Sequence, residues 1–277
     1  MAGPSVSGMA NDMAGVSRPV VPPAAGRERP RGSLSVPVRF RGPANSANGG
    51  YVCGRVAEYL DGPVRVTLRR PPPLATPMTV EPTGEDSVCV HQDGVLMAEA
   101  AAVPRGPAPR IPGAVTAAEA RAAEGHARYF DDPAYPACFV CGPDRRPGDG
   151  LRIFPGPVPG GSLWAAPWTP DASTGDGGRS VRPEIAWAAL DCPSGIAAAE
   201  AADVGEDTTI LLGRMTADVS TLPAVGEECQ AIAWPIGRDG RKLTAGSALV
   251  GPDGAVLAVA TTVWLTVPRP AAGTEAS

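Results

Sequence analysis

Asp93-Gly94-Val95-Leu96-Met97-Ala98-Glu99-Ala100-Ala101-Ala102-Val103 lies over Asp253-Gly254-Ala255-Val256-Leu257-Ala258-Val259-Ala260-Thr261-Thr262-Val263 without a gap. The Asp, the Gly, two Ala and the final Val are identical. Asp-Gly ahead of a β-prone run is a hairpin signal, because a tight type I′ turn needs positive φ at both central positions. Each of the two stretches closes a series of strand-like runs. The first series spans 64–68, 78–81, 87–91 and 95–103. The second spans 209–219, 228–234, 242–250 and 255–267.

Each series is preceded by a helical pattern. Behind Asn45-Ser46-Ala47-Asn48-Gly49-Gly50, a turn that can cap a helix, Val52, Val56, Tyr59 and Leu60 recur at helical spacing. In 183–202, Ile185, Ala188, Ala189, Cys192 and Ile196 do the same, with Pro193 expected at a first turn or a kink. The offset between the two copies grows along the chain. It is 141 from Gly54 to Gly195, 149 from Val66 to Met215, and 160 from Asp93 to Asp253. Longer loops in the second copy account for this. Matching order of elements, together with the aligned hairpins, points to an internal repeat. The expected organisation is a disordered segment over 1–33, a first unit over 34–104 opening on a short strand at 36–40, and a connector over 105–149. The connector holds a helical stretch (116–129) and a Cys-rich loop. A second unit over 150–268, with early strands at 151–154 and 162–168, is followed by a disordered tail over 269–277.

A long apolar-faced helix ahead of an antiparallel sheet must be covered by that sheet. Asn48-Gly49-Gly50-Tyr51 resembles the His-Gly-Gly opening of the central helix in hotdog-fold acyl-CoA thioesterases. Leu222-Pro223-Ala224-Val225-Gly226-Glu227 resembles their turn between strands, and the stretch from Asp253 to Trp264 their last hairpin. Two such units in one chain resemble the double hotdog thioesterases. The resemblance implies an α+β fold of two fused hotdog units, each a central helix wrapped by an antiparallel sheet. It also implies a site at the shared helix interface and an acyl-CoA or acyl-carrier thioester as substrate. Asn stands at position 48 where the family pattern has His.

Thioester hydrolysis needs donors for a developing oxyanion, a carboxylate and an apolar pocket. The amides of a helix start have no internal partners and lie at the positive end of the dipole. Gly49 and Gly50 are therefore the expected oxyanion donors, with Asn48 adding a side-chain amide and Tyr51 beside them. Those same residues also read as a plain helix cap. Asp191 is the expected catalytic carboxylate, as base or nucleophile. It sits in a mostly apolar helical stretch and falls opposite Gly50 in the repeat; the plainer reading is a helix cap after a Pro-made break. Ser194 is a nearby polar candidate for substrate contact; the plainer reading is a cap or a solvated group. A non-catalytic acyl-binding protein is the alternative function. The resemblance implies that a hotdog hydratase or dehydratase would carry a His near the central helix; neither His91 nor His126 lies there, which disfavours enoyl hydration or dehydration.

Cys138 and Cys141 form one Cys-x-x-Cys, but a structural zinc site needs four ligands. Only Cys89 and His91 suggest themselves as completion, so neither a metal nor a cofactor is expected. The Cys loop is expected to cover the pocket or join the halves. The chain has 277 residues, 43% of them hydrophobic, and a net charge of −5. Scattered Arg residues outnumbered by carboxylates argue against nucleic acid. No apolar run approaches the ~18 residues of a membrane span. Six cysteines are too sparse for a disulfide framework. No secretory signal is evident, so a cytoplasmic protein is expected, either a monomer that mimics a dimer or a homo-oligomer.

Overall fold

A computed structural model of the chain describes residues 31–106 and 109–270. The segments expected to be disordered lie mainly outside these residues. Two boundaries move toward the termini. Gly32–Leu34 forms a strand (β1), and Arg269 is tied down, its N–H donating to the Asp207 carbonyl at 2.8 Å.

The first arm continues with a 3₁₀ turn, Val38–Phe40, then helix α1 (Gly49–Ala57) and strands β2 (Val64–Leu68), β3 (Met78–Gly84), β4 (Ser87–Gln92) and β5 (Val95–Ala102). The turn corrects the strand expected over 36–40. Phe40 N–H bonds back to the Pro37 carbonyl at 2.9 Å, which closes the backbone on itself. Helix α1 ends earlier than its apolar spacing suggests. Tyr59 and Leu60 donate to Val56 and Ala57, so the last turn tightens to three-residue bonds. Between the arms in sequence comes helix α2 (Ala117–Ala123), started by a capping box of Thr116 and Glu119.

The second arm holds β6 (Gly156–Pro157), β7 (Trp164–Trp168), helix α3 (Pro183–Ala201), and strands β8 (Thr208–Val219), β9 (Cys229–Asp239), β10 (Lys242–Val250) and β11 (Val256–Pro268). No strand forms over 151–154, because Arg152 has φ 55° and breaks the extended backbone. Both Asp-Gly hairpins form. Asp93 and Gly94 have φ 49° and 76°, and Gly254 has φ 81°.

All strands join one antiparallel sheet in the order β1-β3-β4-β5-β2-β8-β11-β10-β9-β7-β6. Outward from the β2–β8 junction the two arms follow one plan: helix-following strand, last strand, middle strand, then the strand next to the edge pieces. At the junction Val66 pairs with Met215, both fully buried.

Helix α3 is buried continuously from Glu184 to Ala198. A helix apolar all round must be enclosed, and α3 packs against β8, β9, β10 and β11 on the sheet side and α1 beside it. The two helices meet through glycines. A Cβ on Gly50 would lie 2.5 Å from Asp191 Cβ, and one on Gly54 2.6 Å from Glu184 Cα. Gly50 and Gly54 therefore set how closely the helices approach. Pro193 sits inside α3, not in its first turn. Among the described residues no helix is long and apolar enough to cross a membrane.

Candidate functional site

The helix contact brings Asp191 to the start of α1. Its side chain is only 1% exposed. Oδ2 accepts from Asn48 Nδ2 at 2.8 Å and from Gly50 N–H at 3.0 Å. Asn48 also caps α1, its Oδ1 accepting from Tyr51 N–H at 2.9 Å. Asp191 Oδ1 is buried and has no hydrogen-bond partner. Burial pushes the Asp191 carboxyl up to about 7, against the pull of the Gly50 N–H; Cys138 raises it further and Asn48 lowers it. A carboxylate with one oxygen clamped and the other unengaged is positioned to accept a proton.

Asp191, Asn48 and Gly49 line one cavity of about 560 Å³. Its apolar wall includes Ile196, Ile210, Leu212 and Trp264. Of the six site residues read from the sequence, these three share the cavity and the other three do not line it. Gly50 is placed under Asp191, and its amide is engaged by the carboxylate, so it is not free for an oxyanion. Tyr51 is buried, stacked on Phe40 with centroids 4.0 Å apart. Ser194 is neither solvated nor in the cavity wall. Its hydroxyl donates to the Asp191 carbonyl at 2.7 Å and receives Thr262 Oγ1 at 2.9 Å and Trp264 Nε1 at 3.0 Å. This network ties the Asp191 turn of α3 to strand β11.

The arginines of the cavity were not singled out in the sequence. Arg69, Arg70, Arg128 and Arg269 all line it, although they are scattered along the chain. Arg69 pairs with Glu99, Arg128 with Asp203 and Arg269 with Asp132. Arg70 forms no ion pair among the described residues. Cys138 and Cys141 reach the cavity from the connector loop, and Cys192 reaches it from α3 beside Asp191. Cys138 Sγ and Cys192 Sγ are 3.6 Å apart. The residues weighed in the sequence as completing this pair, Cys89 and His91, lie on β4 and do not line the cavity. The proximity of Cys192 comes from helix packing across 54 residues of sequence, so no local spacing could reveal it.

The helix-and-sheet arrangement has solved counterparts. The tesB protein of Mycobacterium avium subsp. paratuberculosis superposes with a TM-score of 0.56 at 12% identity, over 86% of this chain and 93% of that one. A hotdog-fold protein from Alicyclobacillus acidocaldarius matches with a TM-score of 0.51 at 12% identity, over 87% and 94%. The chain has a hotdog fold. The acyl-CoA thioesterase II TesB2 of Mycobacterium marinum is similar to this hotdog chain at a TM-score of 0.52 and 15% identity, over 87% of this chain and 94% of that one. No protein-family model and no curated protein sequence matches the chain.

Proposed function

We propose that the chain hydrolyses an acyl-CoA or acyl-carrier thioester, with Asp191 as general base. One observation carries the reading: Asp191 stands in the wall of a cavity that has an apolar side, with Oδ2 held by Asn48 and Gly50 and Oδ1 unengaged. The names of the structural neighbours, acyl-CoA thioesterase II and tesB protein, agree with this chemistry. In the proposed reaction Asp191 takes a proton from a water molecule as its oxygen bonds to the thioester carbonyl carbon. The tetrahedral oxyanion collapses, the C–S bond breaks, and the sulfur leaves with the proton held by Asp191. Gly49 N–H, at the helix start and in the cavity wall, is the proposed oxyanion donor. Gly50, whose amide holds Asp191, is reassigned from oxyanion donor to positioning residue.

The chain is further read as two fused hotdog units, acting as a pseudo-dimer. The register at the junction supports this. If Val66 and Met215 are equivalent, a twofold axis through their pair relates Arg65↔Thr216 to Thr67↔Arg214, and both pairings are present. Gly50 and Asp191, equivalent at the helix offset, are likewise in contact. The boundaries become about 32–104 and 150–269, with the connector between them.

The test is thiol release over a panel of acyl-CoAs and the matching carrier-protein thioesters. Turnover of at least one class is expected. Tight acyl-CoA binding with no turnover by any chain length would instead favour a non-catalytic acyl-binding protein. Neither His lies in the cavity wall, so hydration of enoyl thioesters is not expected from this site.

A further inference from the structure

We propose that Cys138, Cys141 and Cys192 bind one Zn²⁺ through three thiolates, at a site adjoining the cavity. Their Sγ atoms all lie within 4.8 Å of one another, with Cys138 and Cys192 at 3.6 Å. Tetrahedral zinc with Zn–S bonds of about 2.3 Å holds its sulfurs about 3.8 Å apart. The three sulfurs therefore need only a small adjustment to reach metal-binding distances. All three residues are buried.

The loop bearing two of the ligands is built to present them. In Cys138-Phe139-Val140-Cys141-Gly142, the Gly142 N–H closes the turn onto the Cys138 carbonyl at 2.9 Å. A Cβ on Gly142 would lie 2.5 Å from Cys138 N and 2.5 Å from the Pro136 carbonyl oxygen, so only glycine fits there. An N–H donor beside a thiolate stabilises its charge and orients it. The Asn48 amide nitrogen lies 3.9 Å from Cys138 Sγ and 3.8 Å from Cys192 Sγ. The loop itself is pinned: Phe139 N–H bonds to the Arg41 carbonyl at 2.8 Å and Ile153 N–H to the Val140 carbonyl at 3.0 Å. Arg145 adds side-chain bonds to the carbonyls of Ala137 and Arg39, at 2.8 Å each.

A buried cysteine is ordinarily a small apolar filler. Cys53 and Cys229 fit that description, each buried in the core and outside the thiol cluster. The other three differ by converging from two separate elements beside the Asn48 amide. A soft three-thiolate set suits zinc. Among the described residues no fourth Cys or His joins the cluster, so the fourth position falls to an oxygen. All three cysteines line the cavity, and solvent there can supply it. Three protein ligands with one open position is the layout of a zinc site that exchanges its fourth ligand. Loading forms three Zn–S bonds and releases the thiol protons to solvent.

The site stands independently of the proposed hydrolysis and is tested without any thioester. The full chain, expressed with zinc and desalted, should carry about one equivalent of zinc per chain. Replacement by Co²⁺ should give the sulfur-to-cobalt charge-transfer bands and intense visible bands of a tetrahedral thiolate site. Cys141→Ser and Cys192→Ser should lose the metal, and Cys89→Ser should retain it. The proposal is overturned if the wild-type chain holds less than about a tenth of an equivalent after loading, or if Cys141→Ser binds zinc as well as wild type. Should Cys192→Ser fail to fold, the cobalt spectrum of the wild-type chain still decides: thiolate charge-transfer bands support the site, and their absence refutes it.

Discussion

At the scale of single residues, Asn48 joins two structures that would otherwise be separate. Its carbonyl oxygen caps α1, and its amide holds the Asp191 carboxylate. Asn48→Ala removes both bonds and leaves a buried carboxylate with one fewer donor. A loss of about 2–4 kcal/mol in urea denaturation is expected from a lost cap and a lost charged hydrogen bond; a loss under about 0.5 kcal/mol would mean that neither bond matters. Gly50→Ala is expected to cost about 1–3 kcal/mol or more, because its methyl would press on Asp191 and the Trp187 carbonyl and force the helices apart. Far-ultraviolet circular dichroism during the same titration measures it. The Asp191–Gly50 contact agrees with the sequence alignment of the two arms, which sets the two residues opposite each other. What the Gly50 amide binds was not legible. A helix start advertises free donors, but nothing local says which acceptor the rest of the chain will bring. Ser194 shows the same limit: beside Asp191 in sequence, its hydroxyl turns to the network with Thr262 and Trp264.

At the scale of elements, the strands were legible wherever β-branched runs met a hairpin signal. The spans of β2 and β10 match their sequence reading. The misreadings have local backbone causes. Val38–Phe40 turns because Phe40 bonds to Pro37, and 151–154 stays irregular because of the positive φ at Arg152. Which strands would pair across the two arms was invisible in either arm alone. The β2–β8 junction is the element contact that makes one sheet of the whole chain. Met215 is fully buried there opposite Val66. Met215→Ala should cost about 2–5 kcal/mol. The two arms should still melt in one transition, read by calorimetry, because the sheet and the α1–α3 contact are shared. Two separated transitions in the wild-type chain would contradict that coupling.

At the scale of the whole molecule, the paired arms are unequal where chemistry is proposed. Helix α1 supplies Asn48 and Gly49, and α3 supplies Asp191. In the proposed duplication the position equivalent to Asp191 in the first arm is Gly50, which has no side chain to do the same work. One working site per chain follows from the proposed reading. On the proposed reading, Arg70, without an ion-pair partner among the described residues and in the cavity wall, is the residue placed to meet a phosphate of CoA. Arg70→Ala should raise KM for acyl-CoA about tenfold with kcat kept, and leave a short thioester lacking phosphates unaffected. The most direct measurement is the kcat for acyl-CoA hydrolysis by Asp191→Asn, a near-isosteric change that keeps the packing and removes the base. The expected result is a fall of about 10²–10⁴-fold with KM little changed; a variant that hydrolyses the same substrate at the wild-type rate would contradict the assignment of Asp191.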